Sequence, residues 1–186
     1  MKILFIISAA VCIAACSRAG SPDDISESPV SEISVAMIAV DAKGLEPFLG
    51  SWQSGKTVFG QEADSHMHWT PALEGRFIRL DYAINPANKE AEKSIFSGVA
   101  FYKIAEGPEL KAFWADTTGD LHPITAQMED QTLTAIWGIA GQKLGKTRYE
   151  LTAPDVMRVT DWIMRDGEYR QFNDNEFSRV TGAPKN

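Results

Sequence analysis

The stretch LHPITAQMEDQTLTAIWGIAGQKLGKTRYELTAPDVMRVTDWIMRDG (residues 121–167) decides the fold. Apolar and β-branched residues alternate with polar ones in short runs, the pattern of a strand with one buried face. Each run is cut by a turn signal: Glu129-Asp130, Gly141 to Gly145, Pro154-Asp155 and Asp166-Gly167. Reading toward the N-terminus, the same punctuation recurs at Gly119-Asp120, Gly107-Pro108, Asn85-Pro86 and Glu74-Gly75. Intervals of roughly 11–14 residues between signals are those of successive hairpins. The expected strands are 51–59, 64–71, 76–84, 94–106, 109–117, 121–128, 131–139, 146–153, 156–165 and 169–180. About ten consecutive strands with tight connections leave no long return segment for a Greek key. The predicted fold is therefore all-β, a single up-and-down antiparallel β-barrel whose closure removes exposed strand edges. One helical turn precedes it, with Leu45, Phe48 and Leu49 at i, i+3, i+4 spacing.

Upstream of the barrel the composition changes. Met1-Lys2 supplies a positive charge and Ile3 to Ala15 is apolar apart from Ser8, too short to span a bilayer as a helix. It closes on Ile13-Ala14-Ala15-Cys16, which resembles the lipobox of bacterial lipoproteins, where the cysteine thiol is diacylated before cleavage. The resemblance implies a signal peptide over 1–15, lipidation of Cys16 and a membrane partner through that lipid. The alternative is a plain secretory signal with Cys16 incidental. Ser17 stands where an inner-membrane retention signal carries Asp, so the expected location is the outer membrane, facing the periplasm. Residues 16–43 are read as the lipidated cysteine and an acidic tether, since 17–34 is rich in Ser, Pro and acid and has no aromatic residue. Val35 to Val40 is an apolar run that either docks on the domain or adds a strand, and 44–182 is the barrel.

Composition excludes several classes. The formal charge of −7, which becomes −8 when Lys2 leaves (17 basic against 25 acidic residues), gives no basic face for nucleic acid. Cys12 and Cys16 make no disulfide scaffold at this length. A monomer or weak dimer is expected.

Phe48-Leu49-Gly50-Ser51-Trp52 looks like the opening of lipocalin and other calycin barrels, in which a helical turn leads into Gly-x-Trp and the Trp plugs the barrel base. Leu73-Glu-Gly-Arg-Phe-Ile-Arg79, Phe113-Trp-Ala-Asp116 with Gly119, and Gly167-Glu-Tyr with Arg179 resemble a family of small uncharacterised bacterial barrels related to the nitrobindin-like heme-binding barrels. The resemblance covers roughly 45–181 and implies a calycin-like barrel. Nitrobindin-like barrels hold heme through a histidine close to the C-terminus. No histidine follows His122, so the ligand position is unmatched and neither heme nor peroxynitrite chemistry is expected.

Strand alternation assigns the inward faces. They are Ile78, Leu80, Tyr82 and Ile84 with Arg76 at the strand mouth; Leu110, Ala112 and Trp114 with Asp116; Leu133, Ala135, Trp137 and Ile139; Tyr149 and Leu151; Met157, Val159 and Ile163 with Asp161. The expected lumen is thus lined by Tyr82, Trp114, Trp137 and Tyr149, with Asp116 and Asp161 as polar points. Such a cavity suits a small apolar or amphipathic ligand whose head the two aspartates orient; the alternative is a packed interior.

Asp116 and Asp161 can be read as an acid–base pair or as strand-end and turn acceptors. His66-Met-His68 offers two imidazoles on one face, but Met67 and Trp69 are the natural inward pair, so both histidines are expected outside and no metal site follows. Arg79 and Asp81 share the polar face of their strand and read as an exposed ion pair, or less readily as a substrate contact. No Gly-x-Ser-x-Gly or His-Glu-x-x-His occurs, and no catalytic residue is assigned. Three functional classes remain: a ligand-binding barrel, a filled barrel serving as a structural or interaction module, and an enzyme using the lumen.

Overall fold

The computed structural model describes residues 44–58, 61–87, 94–104, 107 and 109–181. The signal segment, Cys16, the tether and the apolar run at 35–40 lie outside the described residues. Residues 37–186 form a compact unit by themselves. A 3-10 turn, Glu46–Phe48, leads into ten strands: β1 (Gly50–Val58), β2 (Gln61–Ala72), β3 (Phe77–Pro86), β4 (Phe96–Lys103), β5 (Glu109–Asp116), β6 (Leu121–Glu129), β7 (Thr132–Gly138), β8 (Leu144–Ala153), β9 (Val156–Arg165) and β10 (Glu168–Arg179).

Each strand pairs antiparallel with its sequence neighbours, and β1 pairs β10 through Trp52↔Arg179 and Gln53↔Ser178 to close the barrel. Every strand is therefore hydrogen-bonded along both edges, and among the described residues the main core cluster runs from Leu45 to Phe177. These pairings and this core all fall within residues 37–186.

One end is plugged. Leu45, Phe48 and Trp52 are fully buried there, and each such side chain contributes about 1.5–3 kcal/mol of apolar burial. The Trp52 indole N–H donates to the Phe48 carbonyl at 2.8 Å, which fixes the turn to the first strand. Arg179 at the end of β10 covers the plug, its guanidinium 4.0 Å from the Trp52 ring centroid. Its Nη1 donates to the Leu49 carbonyl at 2.6 Å and its Nη2 to the Pro47 carbonyl at 2.7 Å. Gly50 is glycine for two reasons: its φ is +110°, and a Cβ there would lie 3.2 Å from Arg179 Nη1. Above the plug, Trp69 stacks on Tyr102 (5.5 Å between centroids) and meets Tyr149 edge-on (5.3 Å).

The inward sets read from alternation are inward, with two exceptions. Arg76 is exposed rather than luminal, because Leu73 and Glu74 both take positive φ (51° and 59°) and the turn holds Leu73 through Arg76 outside the ladder. Ile139 is also exposed, at 49%, because β7 ends at Gly138, whose φ of 93° turns the chain away before Ile139 is reached. At the opposite end of the barrel, where β5 meets β6, β7 meets β8 and β9 meets β10, no plug is formed by the described residues.

Candidate functional site

From that open end a cavity of about 540 Å³ runs into the barrel. All six residues assigned to the lumen from sequence line it: Tyr82 from β3, Trp114 and Asp116 from β5, Trp137 from β7, Tyr149 from β8 and Asp161 from β9. The lumen is not filled, and the tryptophans show why. A Cβ at Gly98, beside Trp114 on the neighbouring strand β4, would stand 2.1 Å from Trp114 Cζ2. A Cβ at Gly145, directly paired with Trp137, would stand 2.0 Å from Trp137 Cζ2. Each indole therefore lies flat on a glycine in the adjacent strand instead of crossing the lumen. Each ring N–H is satisfied along the wall, Trp114 Nε1 by Asp116 Oδ2 at 2.8 Å and Trp137 Nε1 by Thr147 Oγ1 at 3.1 Å. Phe96 stacks on Trp114 (6.2 Å, 16° between planes) and extends the aromatic wall.

The two aspartates do different work and share no hydrogen-bond partner. Asp116 belongs to the β5–β6 turn: Oδ1 accepts from the Thr118 backbone N–H at 2.9 Å and from the Thr118 hydroxyl at 2.5 Å. Burial alone would raise its pKa, but these bonds and the one from Trp114 outweigh it and hold the carboxyl below its ordinary value. The acid–base pair is thereby replaced by a turn acceptor and a separate luminal carboxyl.

Asp161 is that luminal carboxyl, and the accessible area it retains faces the cavity. Oδ1 accepts from the Thr147 hydroxyl at 2.5 Å and Oδ2 from Asn173 Nδ2 at 2.7 Å. Asn173 is oriented in turn by Asn175 Nδ2, which donates to its Oδ1 at 2.8 Å. Burial pushes the Asp161 pKa up, against the lowering effect of Thr147 and Asn173. Burial likewise pushes the Tyr82 hydroxyl up to about 12 and raises Tyr102 and Tyr149, so all three stay neutral at physiological pH.

The rim carries Thr118, His122, Lys143, Arg165 and Phe172. Lys143 is held by Asp120, and His122 tilts against Trp137 at 5.5 Å. Sequence reading missed Asn173 and Phe172 because β10 is bulged between Gln171 and Asn173, which breaks the two-residue phase. Tyr102 is in phase with Phe96, Gly98 and Ala100, so strand alternation alone places it in the lumen.

The remaining candidates sit on the outer wall. Met67 and Trp69 are buried inside, while His68 Nδ1 bonds the Ser51 hydroxyl outside at 2.8 Å. Among the described residues no group of three or more His, Cys, Asp or Glu side chains is placed to hold a metal ion. Arg79 and Asp81 form an ion pair at 2.5 Å, both roughly half exposed, worth ~0–1 kcal/mol.

No family model matches this chain. No curated protein matches it either. Among solved structures it is similar to Rv2717c from M. tuberculosis, with a TM-score of 0.55 and 13% identity over 75% of this chain and 96% of that one. It is also similar to the S-type phycobiliprotein lyase CPES from Guillardia theta, with a TM-score of 0.48 and 15% identity over 76% and 93% of the two chains. At 13% identity the likeness to Rv2717c is one of fold alone, a calycin-like closed barrel, here of ten strands.

Proposed function

We propose that this protein is a carrier that takes a small apolar or amphipathic molecule into the barrel lumen. The observation that carries the reading is the open cavity of about 540 Å³, within the range of small-molecule sites and walled by aromatic side chains with a few convergent polar groups. Tyr82, Trp114, Trp137 and Tyr149 supply the apolar wall, and Asp161 with Thr147 and Asn173 orients a polar group. Asp116 acts indirectly, by holding the Trp114 indole flat. The same reading places the barrel on the periplasmic side of an outer membrane through a lipid on Cys16, supported by the Ile13-Ala14-Ala15-Cys16 box and by Ser17. The open lumen weighs against a filled barrel serving only as an interaction module.

The test is native mass spectrometry of residues 37–186 produced alone, beside tryptophan emission during titration with fatty acids, lysolipids and porphyrins. Trp114 and Trp137 line the lumen, so occupancy should shift their emission, and bound ligand should survive as a mass adduct. If no ligand gives an adduct or a spectral change, the carrier reading is wrong.

A further inference from the structure

The polar end of the lumen has a sign. Asp161 is the acidic group set away from the open end of the cavity, and its hydrogen bonds come from neutral donors, the Thr147 hydroxyl and the Asn173 amide. Among the described residues no cation contacts it. The titratable groups that face it are tyrosines: Tyr82 from β3, Tyr102 from β4 and Tyr149 from β8. The other charged groups on the cavity, Asp116, His122, Lys143 and Arg165, belong to its open end, and Lys143 is already taken by Asp120. A buried carboxylate without a counter-ion is costly to keep charged, and proteins ordinarily pair it or neutralise it. Here the side of the carboxylate not held by Thr147 and Asn173 faces the cavity. The surrounding wall is made of Trp137, Tyr149, Tyr82 and Trp114, whose ring faces attract cations.

Building on the carrier reading above, we propose that the lumen selects an amphiphile bearing a cationic amino group, and that Asp161 receives that group. Thr147 and Asn173 keep the two carboxylate oxygens aimed at the cavity, the ammonium donates to them, and the aromatic faces cover the rest of its charge. The apolar remainder of the ligand lies toward Phe96, Ile163 and the open end. Entry of the amine supplies the missing counter-ion, so binding and ionisation of Asp161 occur together.

Three probes of equal chain length separate the possibilities: octylamine, octanol and octanoate, titrated into residues 37–186 by calorimetry with tryptophan emission in parallel. Octylamine should bind at least about tenfold more tightly than octanol, the scale of a charge-assisted hydrogen bond in a desolvated site. Asp161→Asn should remove that preference, so that octylamine binds the variant no more tightly than octanol does. Equal binding of octylamine and octanol, or a preference for octanoate seated on the Arg165 rim, overturns the cationic assignment and leaves the carrier reading standing. Failure of all three to bind overturns both. The wild-type chain gives a readout that does not depend on the variant folding. The Asp161 side-chain carboxyl carbon should move to its ionised NMR position on adding octylamine and stay in place on adding octanol; a resonance that ignores octylamine overturns the proposal.

Discussion

At the scale of single residues, the environment of Asp161 sets a pH dependence whose sign follows from its raised pKa. In the unfolded chain the carboxyl titrates near 3.8; in the folded barrel burial raises that value. Between the two, the folded state holds a proton that the unfolded state has lost. The stability this contributes is complete below the unfolded value and is lost as pH rises through the folded one. Asp116 acts in the opposite sense, since its folded pKa is lowered and its contribution fades as acid is added. The two are separated by difference. Urea unfolding of wild type and Asp161→Asn between pH 4 and pH 8 should show the wild type losing ground to the variant as pH rises. A difference that stays flat with pH would show that Asp161 titrates normally in the fold.

At the scale of strands, the cavity exists because two pairs of neighbours are matched in an unusual way. Trp114 on β5 lies over Gly98 on β4, and Trp137 on β7 lies over Gly145 on β8. Neither glycine has a positive φ, so what excludes a side chain is the indole and not the backbone. Gly98→Ala and Gly145→Ala should therefore each cost about 1–3 kcal/mol, the usual range for overpacking. Each should also lift its indole into the lumen. Urea midpoints would report the first effect, and near-ultraviolet circular dichroism with loss of ligand binding the second. Unchanged spectra and full binding in both variants would show that the glycines do not keep the lumen open. A glycine inside a strand pattern signals close approach of another group, so this device was legible, although nothing in the sequence says which ring lies on which glycine. The two-residue period was enough to place Tyr82, Trp114, Trp137, Tyr149 and Asp161 on one surface, because the strands keep register through these positions and the shift in β8, between Leu151 and Ala153, comes after Tyr149. It failed where the chain leaves the ladder. Arg76 and Ile139 lie in turns built on positive φ, and the bulge in β10 hides Asn173, the second partner of Asp161.

At the scale of the whole molecule, the described residues plug the barrel at one end and leave a cavity at the other, which under the proposed function is where ligand enters. The plug depends on Arg179 joining the last strand to the turn before the first, so closure and ligand entry are separated to opposite ends of the barrel. Under the proposed function the lipid on Cys16 gives this arrangement its purpose. An amphipathic ligand is concentrated in a membrane and dilute in water, and an anchored carrier works where the ligand is. A stable anchor needs more than one acyl chain, each buried methylene contributing ~0.8 kcal/mol, which the diacylated cysteine implied by the lipobox would provide. Because the thiol at position 16 is the acceptor, Cys16→Ala should abolish labelling of the full chain by radioactive palmitate. It should also move the protein from the membrane fraction to the soluble fraction. Residues 37–186 do not include Cys16, so the cavity and its octylamine binding should be the same with or without the anchor. Palmitate incorporation that survives in Cys16→Ala would overturn the lipobox reading and leave the luminal site untouched, because the two rest on different parts of the chain.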